Sequence, residues 1–289
     1  MSDPNVGSYR RPATLEELVA QLMVRPGSVL AGGTDLVLLR TAGVVDRAWD
    51  IVDLKAVPEL RGVSRDEHGS VLVGSATTLQ ALARSDQVPG ALRDGAALVG
   101  GGQTRARATL GGNICRASPA GDTLAGLLVC QGRLELASAS GTRTVDARDF
   151  FVGPGRTRRE PTEVLTGIRI PSTTGASAYL RYTPRRAMDL AVVGVAVHLE
   201  LEAGRCIAAR IALSAAAPVP VLAEDAAEAL VGTSLDAADI ERAAELTLRV
   251  ADPIDDGRGS RAQRLSMLPV IAGRAIARAQ DRARSSEGR

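Results

Sequence analysis

Residues 29–36 read V-L-A-G-G-T-D-L and residues 108–114 read A-T-L-G-G-N-I, and these two stretches decide the predicted fold. In each, a short apolar run breaks at a pair of glycines and continues with a small polar residue. This pattern is typical of a strand that ends in a loop open to a ligand. Because glycine has no Cβ atom, backbone N–H groups can approach an anion closely there. The two stretches therefore predict a site for a diphosphate group.

Length and composition predict two domains built around an aliphatic core. The chain has 289 residues, which exceeds the usual size of one domain. Apolar residues make up 45% of it, but aromatic residues only 2%. A planar ligand would therefore lie against aliphatic side chains and backbone rather than against aromatic rings.

The charges and the cysteines limit the possible partners and the compartment. A net charge of +2 is far from the basic excess that nucleic-acid binding leaves. Cys115, Cys130 and Cys206 lie far apart, which predicts neither a disulfide framework nor a cysteine-ligated metal, and favours a reducing cytoplasm. No uninterrupted apolar stretch of about 18 residues exists, so we expect no membrane span. The basic segment 274–284 is expected to be a solvated helix face.

The periodicity of the chain predicts an α+β protein. Expected helices cover residues 11–22, where Thr14 and Glu17 form a capping-box pattern, and residues 77–83, 89–99, 223–231 and 237–250, with an apolar helix after Pro119. Expected strands cover residues 28–31, 49–54, two segments within 62–77, then 134–138, 143–146, 163–171, 188–202 and 205–216. Residues 172–177 are a Ser/Thr/Gly stretch suited to a linker. We therefore predict one domain over residues 1–174 and a second domain over residues 175–289.

Two common nucleotide-binding motifs are missing. A Rossmann fingerprint requires G-x-G-x-x-G with an acidic residue about 20 positions later, and a P-loop requires G-x-x-x-x-G-K-[ST]. Neither glycine pair has either pattern. No Ser-His-Asp or two-carboxylate hydrolytic site is recognisable, and neither His68 nor His198 makes a convincing catalytic base.

Several blocks in order resemble the flavin-binding medium subunit of the molybdenum hydroxylases, the family of xanthine dehydrogenase and aerobic carbon monoxide dehydrogenase. The blocks are A-G-G-T-D-L at 31–36, T-L-G-G-N-I at 109–114, A-S-P-A-G-D at 117–122, F-F-V-G-P-G-R-T at 150–157, R-R-A-M-D-L-A-V-V-G-V-A at 185–196 and P-I-D-D at 253–256. The resemblance implies a PCMH-type FAD-binding domain of two α/β subdomains, over about residues 1–55 and 56–174, similar to that of vanillyl-alcohol oxidase. A C-terminal domain with an antiparallel sheet and helices would follow.

The resemblance also implies a set of FAD-binding residues. On one side of the pyrophosphate and ribityl chain it places Val29, Leu30, Ala31, Gly32, Gly33, Thr34 and Asp35; on the other side, Ala108, Thr109, Gly111, Gly112 and Asn113. Gly121 and Asp122 would lie at the sugar or ribityl hydroxyls, Val164 and Leu165 against the flavin rings, and Arg181 beside the cofactor. Cys115 follows the second loop closely enough to approach the cofactor.

Other interpretations stay open for individual residues. Each glycine pair alone could be a plain tight turn, and Asp35 could simply cap the following helix. Cys115 could be an inert buried thiol. Arg185 and Arg186 could face a partner, the flavin edge or solvent, whereas Phe150 and Phe151 are expected in the core.

The resemblance implies an oxidoreductase subunit that binds FAD and works with two partners. A molybdopterin-binding large subunit would hydroxylate the substrate, and a two-iron two-sulfur small subunit would deliver electrons, which the flavin would pass to NAD or another acceptor. Alternatives are a stand-alone FAD-dependent oxidoreductase with its own small substrate, and an assembly module that binds no cofactor.

Overall fold

The computed structural model describes residues 7–24, 27–46 and 49–287. Its strands are β1 Tyr9–Arg10, β2 Ser28–Leu30, β3 Ile51–Asp53, β4 Val63–Arg65, β5 Val71–Gly74, β6 Arg133–Ser138, β7 Gly141–Asp146, β8 Phe151–Gly153, β9 Arg156–Thr157, β10 Val164–Ile170, β11 Ala176–Tyr182, β12 Val193–Glu202, β13 Arg205–Ser214 and β14 Val221–Leu222. Its α-helices are α1 Leu15–Val24, α2 Leu36–Thr41, α3 Leu79–Arg84, α4 Gly90–Leu98, α5 Gly102–Arg105, α6 Leu110–Arg116, α7 Leu124–Val129, α8 Ala147–Phe150, α9 Glu224–Glu228, α10 Ala237–Leu246 and α11 Arg261–Glu287. Short 3-10 helices cover Leu54–Ala56, Pro58–Leu60 and Thr247–Val250.

A small parallel sheet of order β1-β3-β2 forms the N-terminal layer. Helix α1 packs against it through Leu18 and Leu22, which are fully buried with Val52 of β3. The predicted capping pattern is confirmed, because the Thr14 hydroxyl accepts from the N–H of Glu17. Parallel strands end at one edge of a sheet, so the carboxyl ends of β2 and β3 meet beside the first glycine pair.

The central layer is an antiparallel sheet of order β4-β5-β10-β6-β7. Alternate residues of β6, Leu134 and Leu136, are buried in the main core together with helices α3, α4, α6 and α7. Phe150 and Phe151 also lie in this core, with their rings packed edge to face, as the sequence predicts. The first glycine pair therefore follows a strand of the N-terminal layer, and the second lies in α6, which packs in the core of the central layer.

The C-terminal sheet, of order β11-β12-β13-β14, is covered on both faces. Val193, Val195 and Val197 of β12 pack in one core with α11, whereas Ala196 and Ala212 lie in the core of the preceding domain. Coverage on both sides explains why the first half of β12, residues 193–197, contains no polar side chain. The predicted α+β class with a C-terminal antiparallel sheet and helices is confirmed, whereas the boundary at residue 174 stays a prediction.

Some predicted elements differ from the structure. The second glycine pair does not follow a strand but lies in the first turn of α6. The predicted linker 172–177 overlaps the start of β11, and the strand predicted from residue 188 begins only at Val193. The solvated face expected at 274–284 is wrong for Arg282, whose guanidinium binds the Asp94 carboxylate at 2.7 and 2.9 Å.

Across the described ranges, no helix is both long and apolar enough to cross a membrane.

Candidate functional site

The first glycine pair lies where the parallel sheet opens into residues 31–35, between β2 and α2. Gly33 has a φ of +80°, a left-handed conformation that glycine adopts without strain. Within the part of the chain that the structure describes, the backbone N–H groups of residues 32–36 donate no hydrogen bond. This loop therefore offers a run of free donors, which is the feature an anionic group requires.

Asp35 does not cap helix α2, so that interpretation of the sequence is wrong. Its side chain accepts no hydrogen bond from the helix, and it lies 3.5 Å from the guanidinium of Arg116 on α6. Both side chains are partly exposed to solvent, so this ion pair contributes little to stability. It does link α2, which follows the first glycine pair, to α6, which contains the second.

The second glycine pair offers no free donors, because its backbone N–H groups already have acceptors within the protein. The N–H of Gly111 donates to the Ser75 carbonyl at 2.9 Å, and the N–H of Gly112 donates to the Thr109 hydroxyl at 3.0 Å. The N–H of Asn113 donates to the Thr109 carbonyl at 3.0 Å. The expectation that this loop presents bare N–H groups is therefore wrong, because capping of α6 and packing on Ser75 use them all. Gly112 instead leaves an exposed surface without a side chain.

The two glycine segments touch each other. A Cβ atom on Gly32 would lie 2.1 Å from the carbonyl oxygen of Arg107 and 2.9 Å from the Cα of Ala108, so only glycine allows this approach. A Cβ on Gly112 would lie 3.9 Å from the Cβ of Ala31. The predicted convergence of the two segments is confirmed. Free N–H groups on one side and a bare Cα on the other fit a diphosphate.

Asp122 lies between the domains, held by two partners from the second domain. Its carboxylate accepts from the Tyr179 hydroxyl at 2.9 Å and from the Arg181 guanidinium at 2.5 Å. The Asp122 and Arg181 side chains are only 3% and 4% exposed. Burial raises the pKa of Asp122 although the Arg181 charge opposes this, and burial also raises the pKa of Tyr179 well above its usual value. The predicted contacts of Asp122 and Arg181 with the cofactor stay predictions, because the observed contacts join the domains.

Asn113 and the A-S-P-A-G-D segment make contacts both within the first domain and to the C-terminal sheet. The amide oxygen of Asn113 accepts from the Thr123 hydroxyl at 2.6 Å. Pro119 accepts a backbone hydrogen bond from Ala215, and the N–H of Gly121 bonds back to Ser118. Of these contacts, the one between the Ala215 N–H and the Pro119 carbonyl joins the first domain to the end of β13.

The side chains of Val164 and Leu165 point to different cores. Val164 is 2% exposed in the cluster around α1, and Leu165 is 3% exposed in the central core. Their predicted contact with the flavin rings stays a prediction. Cys115 is half-buried against the central core, and burial raises the pKa of its thiol to about 11, so the thiol is protonated at neutral pH.

A cluster that sequence analysis missed lies behind the first glycine pair. Lys55 follows β3, and its ammonium lies 2.7 Å from the carboxylate of Asp53 and 3.4 Å from the carbonyl oxygen of Ala31. The Tyr9 hydroxyl donates to the other oxygen of Asp53. The signal available in the sequence was that Lys55 is the only lysine of the chain.

The R-R-A-M-D-L segment forms a loop that folds back on itself and lies against Gly101. Arg185 binds the carboxylate of Asp189 through its backbone N–H and its side chain. The exposed Met188 reaches Gly101, where a Cβ would lie 3.7 Å from its sulfur. Arg186 is exposed, and its role stays open.

The fold has two domains, and in the first of them two glycine-bearing segments meet, one with free N–H groups, which suits a protein that binds a diphosphate-containing cofactor. Residues 4–173 match the family described as the FAD binding domain in molybdopterin dehydrogenase, and residues 178–279 match the carbon monoxide dehydrogenase flavoprotein C-terminal domain. The chain belongs to this flavoprotein family of molybdenum-containing oxidoreductases, and its cofactor is FAD.

Curated relatives and solved structures agree with this assignment. The chain is 35% identical to the carbon monoxide dehydrogenase medium chain of Afipia carboxidovorans, covering 98% of this chain and 99% of the relative. It is 34% identical to the xanthine dehydrogenase FAD-binding subunit of Escherichia coli, covering 94% and 95%. Among solved structures, the cyanide-inactivated Cu,Mo-CO dehydrogenase matches with a TM-score of 0.90 at 34% identity, over 98% of this chain and 100% of that chain. Quinoline 2-oxidoreductase from Pseudomonas putida 86 matches with a TM-score of 0.90 at 33% identity, over 98% and 99%.

Proposed function

We propose that this protein is the electron-transfer subunit of a molybdenum hydroxylase complex. A large subunit with a molybdopterin cofactor oxidises the substrate, and a small subunit with two-iron two-sulfur clusters delivers the electrons. The FAD of this chain passes them to NAD or another acceptor. The names of the relatives, which include medium chains and FAD-binding subunits, support a role within a complex. The free cysteines are consistent with a place in the cytoplasm.

The observation that carries this proposal is the contact of Gly32 with the backbone of Arg107 and Ala108. It joins two segments that lie far apart in the sequence into one cradle. The N–H groups of residues 32–36 would bind the diphosphate, and Gly112 and Asn113 would close the opposite side. The proposed site retains all the residues that the family resemblance implies, within a first domain of residues 1–174 and a second domain of residues 175–289.

The role of the chain's own residues is to bind, orient and shield the cofactor. When bound, FAD supplies the redox chemistry, taking up and releasing electrons at its ring system. Because burial keeps the Cys115 thiol protonated at neutral pH, this side chain would not act as a nucleophile toward the cofactor. Few aromatic residues are available, so aliphatic side chains and backbone would form the walls around the ring.

The test is to purify the chain alone and together with a molybdopterin-binding large subunit and a two-iron two-sulfur small subunit that co-purify with it. We expect a flavin absorption spectrum, or its recovery on addition of FAD, and reduction of the bound flavin only when both partners are present with substrate. A chain that takes up no FAD would overturn the proposal. Turnover of an organic donor by the isolated chain would instead favour the stand-alone oxidoreductase.

A further inference from the structure

Lys55 occupies a defined position at the carboxyl edge of the parallel sheet. Its side chain is 27% exposed, and its ammonium contacts the Asp53 carboxylate at 2.7 Å and the Ala31 carbonyl oxygen at 3.4 Å. Ala31 immediately precedes the first glycine pair. Lys55 therefore connects the end of β3 with the loop that follows β2.

The ammonium is held in place by a buried anion. Asp53 is 2% exposed, and it accepts hydrogen bonds from the Tyr9 hydroxyl, the Lys55 ammonium and the backbone N–H of Lys55. Burial opposes the charge of Asp53, but the hydrogen bonds from Lys55 and Tyr9 outweigh it and lower its pKa. Asp53 is therefore ionised at neutral pH and fixes the Lys55 side chain beside Ala31.

The geometry of one peptide bond extends this constraint to the cofactor side of the loop. The carbonyl of Ala31 and the N–H of Gly32 belong to the same planar trans peptide, so they point in opposite directions. A donor that holds this carbonyl on one side therefore aims the N–H of Gly32 to the other. Among the described residues, that N–H finds no acceptor.

We propose that Lys55 is a positioning residue, which directs the N–H of Gly32 toward the diphosphate of FAD. The inference rests on the proposed function, which puts the diphosphate at this loop. A cation on the carbonyl also polarises the peptide, which strengthens its N–H as a donor. The N–H then forms a charge-assisted hydrogen bond to the phosphate, and such bonds are stronger than neutral ones.

The test compares the full-length Lys55→Met variant with the wild type and with Arg65→Met. Arg65→Met is a matched control, because it also removes one positive charge from the first domain. The Arg65 guanidinium donates to the carbonyls of Gly69 and Gln87 and not to the first glycine segment. We expect Lys55→Met to weaken FAD binding about tenfold, the scale of losing one charge-assisted hydrogen bond, and Arg65→Met to change it less than about twofold. Titration of flavin fluorescence gives both dissociation constants. A Lys55→Met variant that binds FAD as tightly as the wild type would overturn the inference.

Amide hydrogen exchange separates positioning from a general structural effect. In the wild type, FAD should slow exchange of the Gly32 N–H, and this protection should be lost in Lys55→Met. The N–H of Ile240, which donates to the Asp236 carbonyl at the start of α10 in the second domain, serves as the internal reference and should exchange alike in both proteins. If Lys55→Met does not fold, hydrogen exchange of the wild type still tests the inference. A Gly32 N–H that stays unprotected in the FAD-bound wild type would refute it. A wild type that takes up no FAD would overturn the proposed function, and this inference with it.

Discussion

Substitution of Gly32 by alanine tests whether contact between the two glycine segments forms the FAD site. The new Cβ would lie 2.1 Å from the carbonyl oxygen of Arg107, whereas such atoms normally stay more than 3 Å apart. The obstacle is backbone, so the segments must separate by about 1 Å. A hydrogen bond of about 2.9 Å that lengthens by this amount is lost.

We expect Gly32→Ala to weaken FAD binding between about tenfold and hundredfold, since hydrogen bonds to a charged group contribute about 1.5–3 kcal/mol. Gly102→Ala is the matched control, because a Cβ there meets no atom within 4 Å. The assay is titration of flavin fluorescence, with circular dichroism to verify folding. If Gly32→Ala binds FAD like the wild type while remaining folded, the two segments do not form the diphosphate site.

Three further substitutions probe packing, charge and protonation. Gly111→Ala should destabilise the apoprotein by about 1–3 kcal/mol in urea denaturation, because its Cβ would lie 2.6 Å from the Ser75 carbonyl oxygen; unchanged stability would contradict the packing role. Asp122→Asn leaves the buried Arg181 cation without its counter-charge, so unfolding should become easier by about 3–5 kcal/mol; a thermal melt matching the wild type would refute this. Burial lowers the pKa of His198 from 6.5 to about 4, so between these pH values the unfolded chain binds a proton that the folded chain does not. As the pH falls through this range, the free energy of unfolding should therefore decrease by at most about 3 kcal/mol. His198→Gln should lack this pH-dependent decrease, and identical pH profiles of stability for the variant and the wild type would refute the reasoning.

Local patterns in the sequence predicted the elements that local interactions define. The capped helix α1 and the hairpin of β6 and β7 were found, since a cap and a turn depend on residues a few positions apart. Helix α6 was missed because its glycine pair was interpreted as a loop, whereas Thr109 caps the helix and both glycines lie in its first turn. The position of α6 also depends on a residue distant in sequence, because the Ser75 carbonyl accepts a hydrogen bond from the N–H of Gly111.

The two motifs predicted where the candidate site lies, but not that the two glycine pairs differ in their free N–H groups. Sequence alone gives both glycine pairs the same role, whereas the structure leaves the N–H groups free only at the first. The partnership of Asp122 with Arg181 spans 59 positions, so only the folded domains bring the two together. Strand β11 was partly assigned to a linker, because small polar residues do not reveal its pairing with β12.

The sheet that is covered on both faces has a consequence for how this chain can be divided. Ala196 and Ala212 fill the interior of one half of the molecule while their neighbours on the same strands fill the other. Cutting the chain between the two halves would expose to solvent, on each fragment, the apolar surface that now packs against the other half. The two halves are therefore expected to melt in a single cooperative transition, and neither is expected to fold autonomously when expressed alone.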